Sequence, residues 1–86
     1  MIRDGIEITT DHMTAVYDGT VIATARFGRE AAADGNGAWI VSTSPARLFN
    51  RNDAITALSI AERLAAGYGD DDPFVRSWRA EIGVTA

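Results

Sequence analysis

The segment from Asn50 to Gly67 constrains the fold of this chain more than any other stretch of the sequence. Asn50 is a good N-cap, because its side-chain oxygen can accept a hydrogen bond from a free amide of the first turn. Gly67 can adopt the left-handed conformation that commonly follows the end of a helix. Apolar residues recur at helical spacing along one face, namely Ala54, Ala57, Leu58, Ala61, Leu64, Ala65 and Tyr68. The sequence therefore predicts an amphipathic helix over this segment.

The apolar surface of this helix is wider than a single sheet can cover. Ile55 and Ile60 flank the apolar face, so that apolar side chains occupy well over half of the circumference. A surface helix usually carries an apolar stripe of about 100°. We therefore expect the helix to be covered on more than one side, by a sheet below it and by a second helix or a partner chain beside it.

The clearest signal for β-structure is Asp18-Gly19, which separates two β-prone runs at residues 13–17 and 20–27. A two-residue Asp-Gly loop favours a hairpin, since both turn residues need a positive φ. The predicted register places Tyr17 opposite Thr20, Val16 opposite Val21, Ala15 opposite Ile22 and Thr14 opposite Ala23. One face would then carry Val16, Val21, Ala23, Ala25 and Phe27, whose small members let a helix approach closely. The other face, with Ala15, Tyr17, Ile22, Thr24 and Arg26, is more polar.

Two further strands and a second helix complete the predicted elements. Ile6 to Thr10 alternates apolar and polar residues, and residues 38–43 are rich in β-formers until Ser44-Pro45 ends them. Asp72 can cap a helix that begins at Pro73 and ends at Gly83. Its apolar face carries Phe74, Val75, Trp78 and Ile82. A helix of roughly ten residues is not stable alone in water, so we expect it to dock on the first helix or on another subunit.

These elements predict a single small α+β domain over residues 1–86. Its N-terminal part would form an antiparallel sheet of three or four strands, and two C-terminal helices would pack on one face of that sheet. Apolar residues make up 47% of the chain, which is enough for one core.

Charge and residue types narrow the possible functions. The absence of cysteine excludes disulfides and thiolate metal sites. Eight basic residues, all arginine, stand against twelve acidic ones, for a net charge of −4. A net negative charge disfavours non-specific electrostatic binding to nucleic acid or anionic lipid. No apolar run approaches the ~18 residues of a membrane span, so we predict a cytoplasmic protein without membrane association. Arginine without any lysine or glutamine indicates a G+C-rich bacterium or its phage.

The sequence carries no motif for catalysis or cofactor binding. His12 is the only histidine, and an ordinary loop or strand-end role outweighs that of a general base. Asp70-Asp71-Asp72 could bind a cation, but a solvated turn whose last member caps a helix accounts for it. The phosphate-binding loop, the dinucleotide-binding glycine pattern and the nucleophile elbow are all absent. We therefore predict no enzymatic activity, no metal and no cofactor.

Three functions are compatible with these features. The first is a small accessory or regulatory protein that acts through protein–protein contact, as a homodimer and with a further protein, through Ile60, Phe74, Trp78 and Ile82. The second is a nucleic-acid-binding module that presents Arg26, Arg29 and Arg47 from its sheet. The third is an acidic inhibitor of phage origin that occupies a site on a host protein. The wide apolar arc of the first helix and the aromatic face of the second favour the first function.

Overall fold

The chain folds into a five-stranded antiparallel sheet followed by two helices. The computed structural model describes residues 4–32, 35–43, 47–48 and 50–83. The strands are β1 (Gly5–Ile8), β2 (His12–Tyr17), β3 (Thr20–Gly28), β4 (Ala38–Val41) and β5 (Arg47–Leu48), and they lie in the order of the sequence. The helices are α1 (Arg51–Ala65) and α2 (Pro73–Glu81), and a short 3-10 helix (Arg29–Ala31) follows β3.

The α+β class is confirmed, whereas the predicted number of strands, three or four, is wrong. The additional strand is β5, in which Arg47 pairs with Ile40 and Leu48 pairs with Trp39. Two residues are too few to show the alternation by which a strand is recognised in sequence. Its strand character comes from pairing with β4, which is a contact between distant residues. Ser44-Pro45, which was predicted to end β4, lies outside the described residues.

The hairpin between β2 and β3 has the predicted turn but a different register. Asp18 and Gly19 have φ values of 53° and 74°, as the two-residue loop requires. Tyr17 pairs with Thr20 and Val16 with Val21, as predicted. Beyond that point Ala15 pairs with Ala23 rather than with Ile22, because Ile22 is an extra residue in β3. The strand therefore contains a β-bulge, and the predicted pairs further from the turn are wrong.

The bulge also changes which side chains enter the core. Ala15, which was predicted on the more polar face, lies fully buried opposite Ala23, and Met13 lies opposite Ala25. Val21, which was predicted on the helix-facing side, is 45% exposed. A bulge shifts the alternation of side chains by one residue. This shift places Met13, Ala15, Ala23 and Ala25 together in the buried cluster.

The core lies between the sheet and α1. Its buried members are Met13, Ala15, Ala23, Ala25, Trp39, Val41 and Leu48 from the strands, and Ala54, Ala57 and Leu58 from α1. Alanines from both elements, Ala15, Ala23 and Ala25 of the strands and Ala54 and Ala57 of α1, belong to this buried cluster. The rings of Phe27 and Trp39 pack edge to face at 5.6 Å between centroids.

The two ends of α1 follow the predicted capping. The amide of Asp53 donates to Asn50 Oδ1 at 2.8 Å. At the other end Gly67 has a φ of 102°. The amides of Gly67 and Tyr68 donate to the carbonyls of Leu64 and Arg63, which is the pattern of a Schellman motif. The helix therefore ends at Ala65, and Ala65 and Tyr68, which were predicted on its buried face, are exposed.

The middle of α1 is covered on more than one side, as expected. Ile60 is buried at 8% exposure, and Ile55 is partly buried against the core. The helix contacts the strands of the sheet and also contacts α2. The two flanks of the apolar arc, Ile55 and Ile60, are therefore at least partly buried within one chain, whereas Ala65 and Tyr68 at its C-terminal end are exposed.

The second helix begins and ends near the predicted residues. Oδ2 of Asp72 accepts hydrogen bonds from the amides of Phe74 and Val75, at 3.1 Å each, and Pro73 occupies the first turn. Val75 is the fully buried residue of this helix, and Ile82 at its end packs against the core.

Candidate functional site

An open cleft of about 420 Å³ lies where both helices meet the hairpin end of the sheet. Three aromatic rings line it, those of Tyr17 at the end of β2, Tyr68 after α1 and Trp78 in α2. Three charged residues also line it, namely Asp4, Glu62 and Arg63. The cleft thus combines side chains from four separate parts of the sequence.

Local structure fixes the side of the cleft formed by the sheet. The side chain of Asp4, just before β1, accepts a hydrogen bond from the amide of Gly19 at 3.0 Å. The carboxylate is thereby tied to the turn of the hairpin. Tyr17 immediately precedes this turn, and it is 36% exposed. The rigid two-residue loop therefore positions one acidic and one aromatic residue of the cleft.

Arg63 is the centre of the helical side of the cleft. Its Nε donates to Asp72 Oδ2 at 2.7 Å, and its Nη2 donates to Asp72 Oδ1 at 3.2 Å. Its Cζ lies 3.8 Å from the ring centroid of Tyr68 and 4.6 Å from that of Phe74. A planar guanidinium can form a two-pronged ion pair and pack on aromatic rings at the same time. Arg63 therefore connects α1, the loop after it and the start of α2.

The ion pair changes the pKa of both partners. The hydrogen bond from Arg63 is the largest cause that lowers the pKa of Asp72, and the amides of Val75 and Phe74 add to it against the effect of burial. The hydrogen bond to Asp72 likewise raises the pKa of Arg63. Both groups are charged at neutral pH and satisfy each other. Arg63 thus acts as a fixed part of the scaffold.

An aromatic patch extends from the cleft onto the surface of α2. We define it as Tyr17, Tyr68, Phe74 and Trp78. Tyr68 is 49% exposed and Phe74 is 56% exposed, and the ring of Phe74 lies 5.9 Å from that of Trp78 between centroids. Trp78 is half-buried. Aromatic side chains next to an arginine are typical of the energetically important centres of protein interfaces.

Two acidic residues of the cleft have no basic partner in the described part of the chain. The ion pairs within the described ranges are Arg26–Glu30, Arg63–Asp72 and Arg79–Asp70, the last at 2.9 Å. In that part of the chain the carboxylates of Asp4, Glu62 and Asp71 therefore have no basic partner. Asp4 and Glu62 line the cleft. Because the charges of Arg63 and Asp72 cancel each other, the cleft carries a net negative charge.

The structure brings together two of the four residues predicted for a protein interface. Phe74 and Trp78 belong to the aromatic patch. Ile60 is buried, and Ile82 packs against the core of the same chain. Sequence reasoning missed Tyr17, Tyr68 and the central position of Arg63. The available signal was the placement of each tyrosine beside a tight turn, Tyr17 directly before Asp18-Gly19 and Tyr68 directly after Gly67, since a residue beside such a turn commonly lies at the surface.

The predicted arginines lie on a different part of the molecule. His12 pairs with Arg26, Arg26 with Ile40, and Ile40 with Arg47, so these residues form one row across four strands. They alternate with buried residues of the same strands, which places the row on the sheet face opposite the core. Nη1 of Arg26 lies 3.7 Å from Oε1 of Glu30. Arg29 is in the 3-10 helix, outside the row.

His12 lies at the start of β2 and is exposed. Its Nδ1 lies 3.5 Å from Oγ1 of Thr14 on the exposed sheet face. Among the residues that the structure describes, no group of three histidine, aspartate or glutamate side chains could hold a metal ion. In the acidic triplet, Asp72 caps α2 and Asp70 pairs with Arg79.

Comparison with protein-family models, curated proteins and solved structures finds no match to this chain. Neither helix in the described part of the chain has the length and apolar character needed to cross a membrane. The chemistry of the cleft and of the aromatic patch is therefore the basis for a functional proposal.

Proposed function

We propose that this is a small non-enzymatic accessory protein that acts through protein–protein contact, and that the aromatic patch is its contact surface. The observation that carries the proposal is that Tyr68 and Phe74 lie exposed against one fixed arginine, while Tyr17 and Trp78 line the same cleft. Tyrosine, tryptophan and arginine are the residue types that dominate binding energy at interfaces. Contact with a partner would remove these exposed rings from water, which is favourable.

The polar groups of the cleft support binding rather than catalysis. Ser59 is a hydroxyl-bearing residue of the lining, and its Oγ donates to the carbonyl of Ile55 at 2.9 Å within α1. Its hydroxyl is thus engaged in its own helix. The lining contains no histidine to activate a nucleophile.

We further propose that α2 lies beside α1 on the same face of the sheet. The described part of the molecule is only 16 Å across its shortest axis, which fits a sheet and one layer of helices. Residues of β2, α1 and α2 also line one cleft. This arrangement is what allows a partner to touch both helices and the hairpin at once.

A homodimer remains a prediction, but fewer residues now support it, because Ile60 is buried and Ile82 packs against the core. Ile55 and Ile60 are at least partly buried in the chain itself, so we propose that a second copy would bind through the aromatic patch. Sedimentation equilibrium of the wild type and of Phe74→Ser at high micromolar concentration distinguishes the cases. If two copies bind through the patch, the wild type should dimerise and Phe74→Ser should stay monomeric. A strict monomer in both samples would remove the homodimer and leave a different protein as the proposed partner. Action as an inhibitor of a host protein would be one form of this proposal, and a cytoplasmic location remains a prediction.

Photo-crosslinking from the patch tests the proposed function. Benzoylphenylalanine replaces Tyr68 in one variant and Arg47, on the opposite sheet face, in a matched control. We expect a discrete adduct from position 68 whose partner is identified by mass spectrometry. The adduct should form again with the purified partner, and it should be lost in the Phe74→Ser variant. Equal adducts from both positions, or none from position 68, would contradict the proposal.

A nucleic-acid-binding role is a second candidate, and the row of His12, Arg26, Ile40 and Arg47 favours it. Two arginines on an open sheet face could contact phosphates. Fluorescence anisotropy with single- and double-stranded oligonucleotides at about 50 mM salt tests it, because phosphate binding is strongest at low salt. Binding that disappears in Arg47→Ser would support this role, and no binding by the wild type would end it.

A further inference from the structure

We infer that the cleft binds a cationic side chain, arginine or lysine, of the protein partner. This inference rests on the proposed function, because it names the group that enters the cleft when a partner covers the aromatic patch. Its basis is the joint presence of three aromatic rings and two carboxylates around one cavity. A cationic side chain is complementary to both the rings and the carboxylates.

The aromatic lining favours a cation. The face of an aromatic ring is electron-rich and attracts an ammonium or guanidinium group, most strongly for tryptophan. Within the described residues a cation already lies over the rings of Tyr68 and Phe74, namely Arg63. Tyr17 and Trp78 line the cleft without such a neighbour in that part of the chain. They are therefore available to an arginine or lysine supplied from outside.

The charge of the lining favours the same ligand. Arg63 is matched by Asp72 in a two-pronged ion pair, so it presents little uncompensated positive charge to the cleft. Asp4 and Glu62 add two carboxylates without a basic partner among the described residues. A phosphate or a carboxylate of a ligand would be repelled by these groups. The chain as a whole carries a net charge of −4, which adds a long-range attraction for a basic partner.

The cavity also has room for one side chain and a neighbour that suits it. Its volume of about 420 Å³ falls within the range for small-molecule sites, which is roughly 300–1,000 Å³, so a single side chain would not fill it. Phe74 stands at the surface next to Trp78, where it would contact an apolar residue adjacent to the basic one. The fitting partner segment is therefore a basic residue with an apolar neighbour, and a free amino acid would use only part of the surface.

A peptide titration of the full chain, followed by NMR, tests the inference. The probes are a blocked peptide with one arginine between leucines, the same peptide with lysine, and the same peptide with neutral citrulline. We expect the arginine or lysine peptide to shift the indole signal of Trp78, while the buried Trp39 does not respond. We expect the citrulline peptide to bind at least about tenfold more weakly, since it lacks the charge.

Two variants with the same change of net charge sharpen the test. Glu62→Gln removes a carboxylate of the cleft, and Glu30→Gln removes one beyond the far end of β3. We expect weaker binding of the basic peptides to Glu62→Gln and unchanged binding to Glu30→Gln, with unfolding temperatures recorded for both. Equal binding of the citrulline peptide, equal affinities of the two variants, or no shift with any peptide would overturn the inference. The crosslink from position 68 would still report independently on the proposed function.

Discussion

The two helices contact each other but are held in place by different forces. α1 buries Ala54, Ala57, Leu58 and Ile60, and it contacts the strands of the sheet. α2 fully buries only Val75, and it is joined to its surroundings by the Arg63–Asp72 and Arg79–Asp70 ion pairs. Apolar burial scales with area, whereas an ion pair near the surface contributes little. The comparison indicates that α1 sets the stability of the domain and that α2 is an attached element, which holds Phe74 and Trp78 of the proposed binding surface.

Leu58→Ala should have the largest effect, because Leu58 is fully buried in the core on α1. Removing a buried leucine side chain lowers the free energy of unfolding by about 2–5 kcal/mol. Urea unfolding followed by circular dichroism measures this. Leu64→Ala, on the same helix but only partly buried, is the matched control. A loss for Leu58→Ala no greater than that for Leu64→Ala would contradict the assignment of α1 as the core helix.

Val75→Ala should have the next largest effect, and the effect should be local. Two buried methyl groups are lost, which corresponds to about 2 kcal/mol. Because Val75 is the buried anchor of α2, we expect its amides to exchange faster with solvent while the central amides of α1 keep most of their protection. Hydrogen exchange followed by NMR measures the difference. Uniform acceleration in both helices would show that they unfold as one unit.

The ion pair at the start of α2 predicts a specific dependence on pH. The pKa of Asp72 is lower in the folded chain than its ordinary value of 3.8. The stability contributed by its charged form is therefore complete above that value and is lost as the pH falls through the lower folded pKa. Asp72→Asn keeps a capping oxygen but not the charge. It should destabilise the protein at neutral pH by an amount that shrinks in acid.

Thermal unfolding of the wild type and Asp72→Asn, from neutral pH down to about pH 2, checks this expectation. Asp71→Asn is the matched control, since Asp71 is exposed and forms no ion pair among the described residues. If the difference between wild type and Asp72→Asn stays constant across the acid range, the ionised Asp72–Arg63 pair does not hold α2.

Phe74→Ala should have the smallest effect on stability and a clear effect on binding. The ring is more than half exposed, so its removal should change the free energy of unfolding by less than about 1 kcal/mol. The same variant should reduce the partner adduct formed from position 68. Urea unfolding and crosslinking yield, measured on the same preparation, provide the two readouts. A stability loss as large as that of Val75→Ala would place Phe74 in the fold rather than in the binding surface.

The parts of the fold that depend on neighbouring residues were predictable from sequence. Asn50 and Asp72 cap the two helices, and Asp18-Gly19 forms the turn, because each of these roles involves residues no more than three positions away. The extra residue Ile22 was not predictable. The position of this bulge determines which residues of β3 enter the buried cluster. That in turn depends on contacts across the whole sheet. The two residues of β5 likewise became a strand only through contact with β4.

The candidate site was less predictable than the fold. Phe74 and Trp78 share one helix face, so their common placement followed from helical spacing. The cleft also needs Asp4, Tyr17 and Tyr68, which come from distant segments and meet only after the sheet and helices have packed. The sequence predicted that arginines would lie on the sheet. Which of them share one row, Arg26 and Arg47, depends on the register across β3, β4 and β5. Non-local contacts therefore decide both surfaces.

One oxygen atom, Oδ2 of Asp72, accepts from Arg63 Nε at 2.7 Å and from the amides of Phe74 and Val75 at 3.1 Å each. The amides converge on it only when the first turn of α2 is wound, and Arg63 reaches it only when the preceding loop is closed. Winding the helix and fastening it to α1 are thus a single cooperative event. A partner that binds the assembled surface would stabilise this whole event, so its concentration would set the fraction of molecules in which α2 is in place.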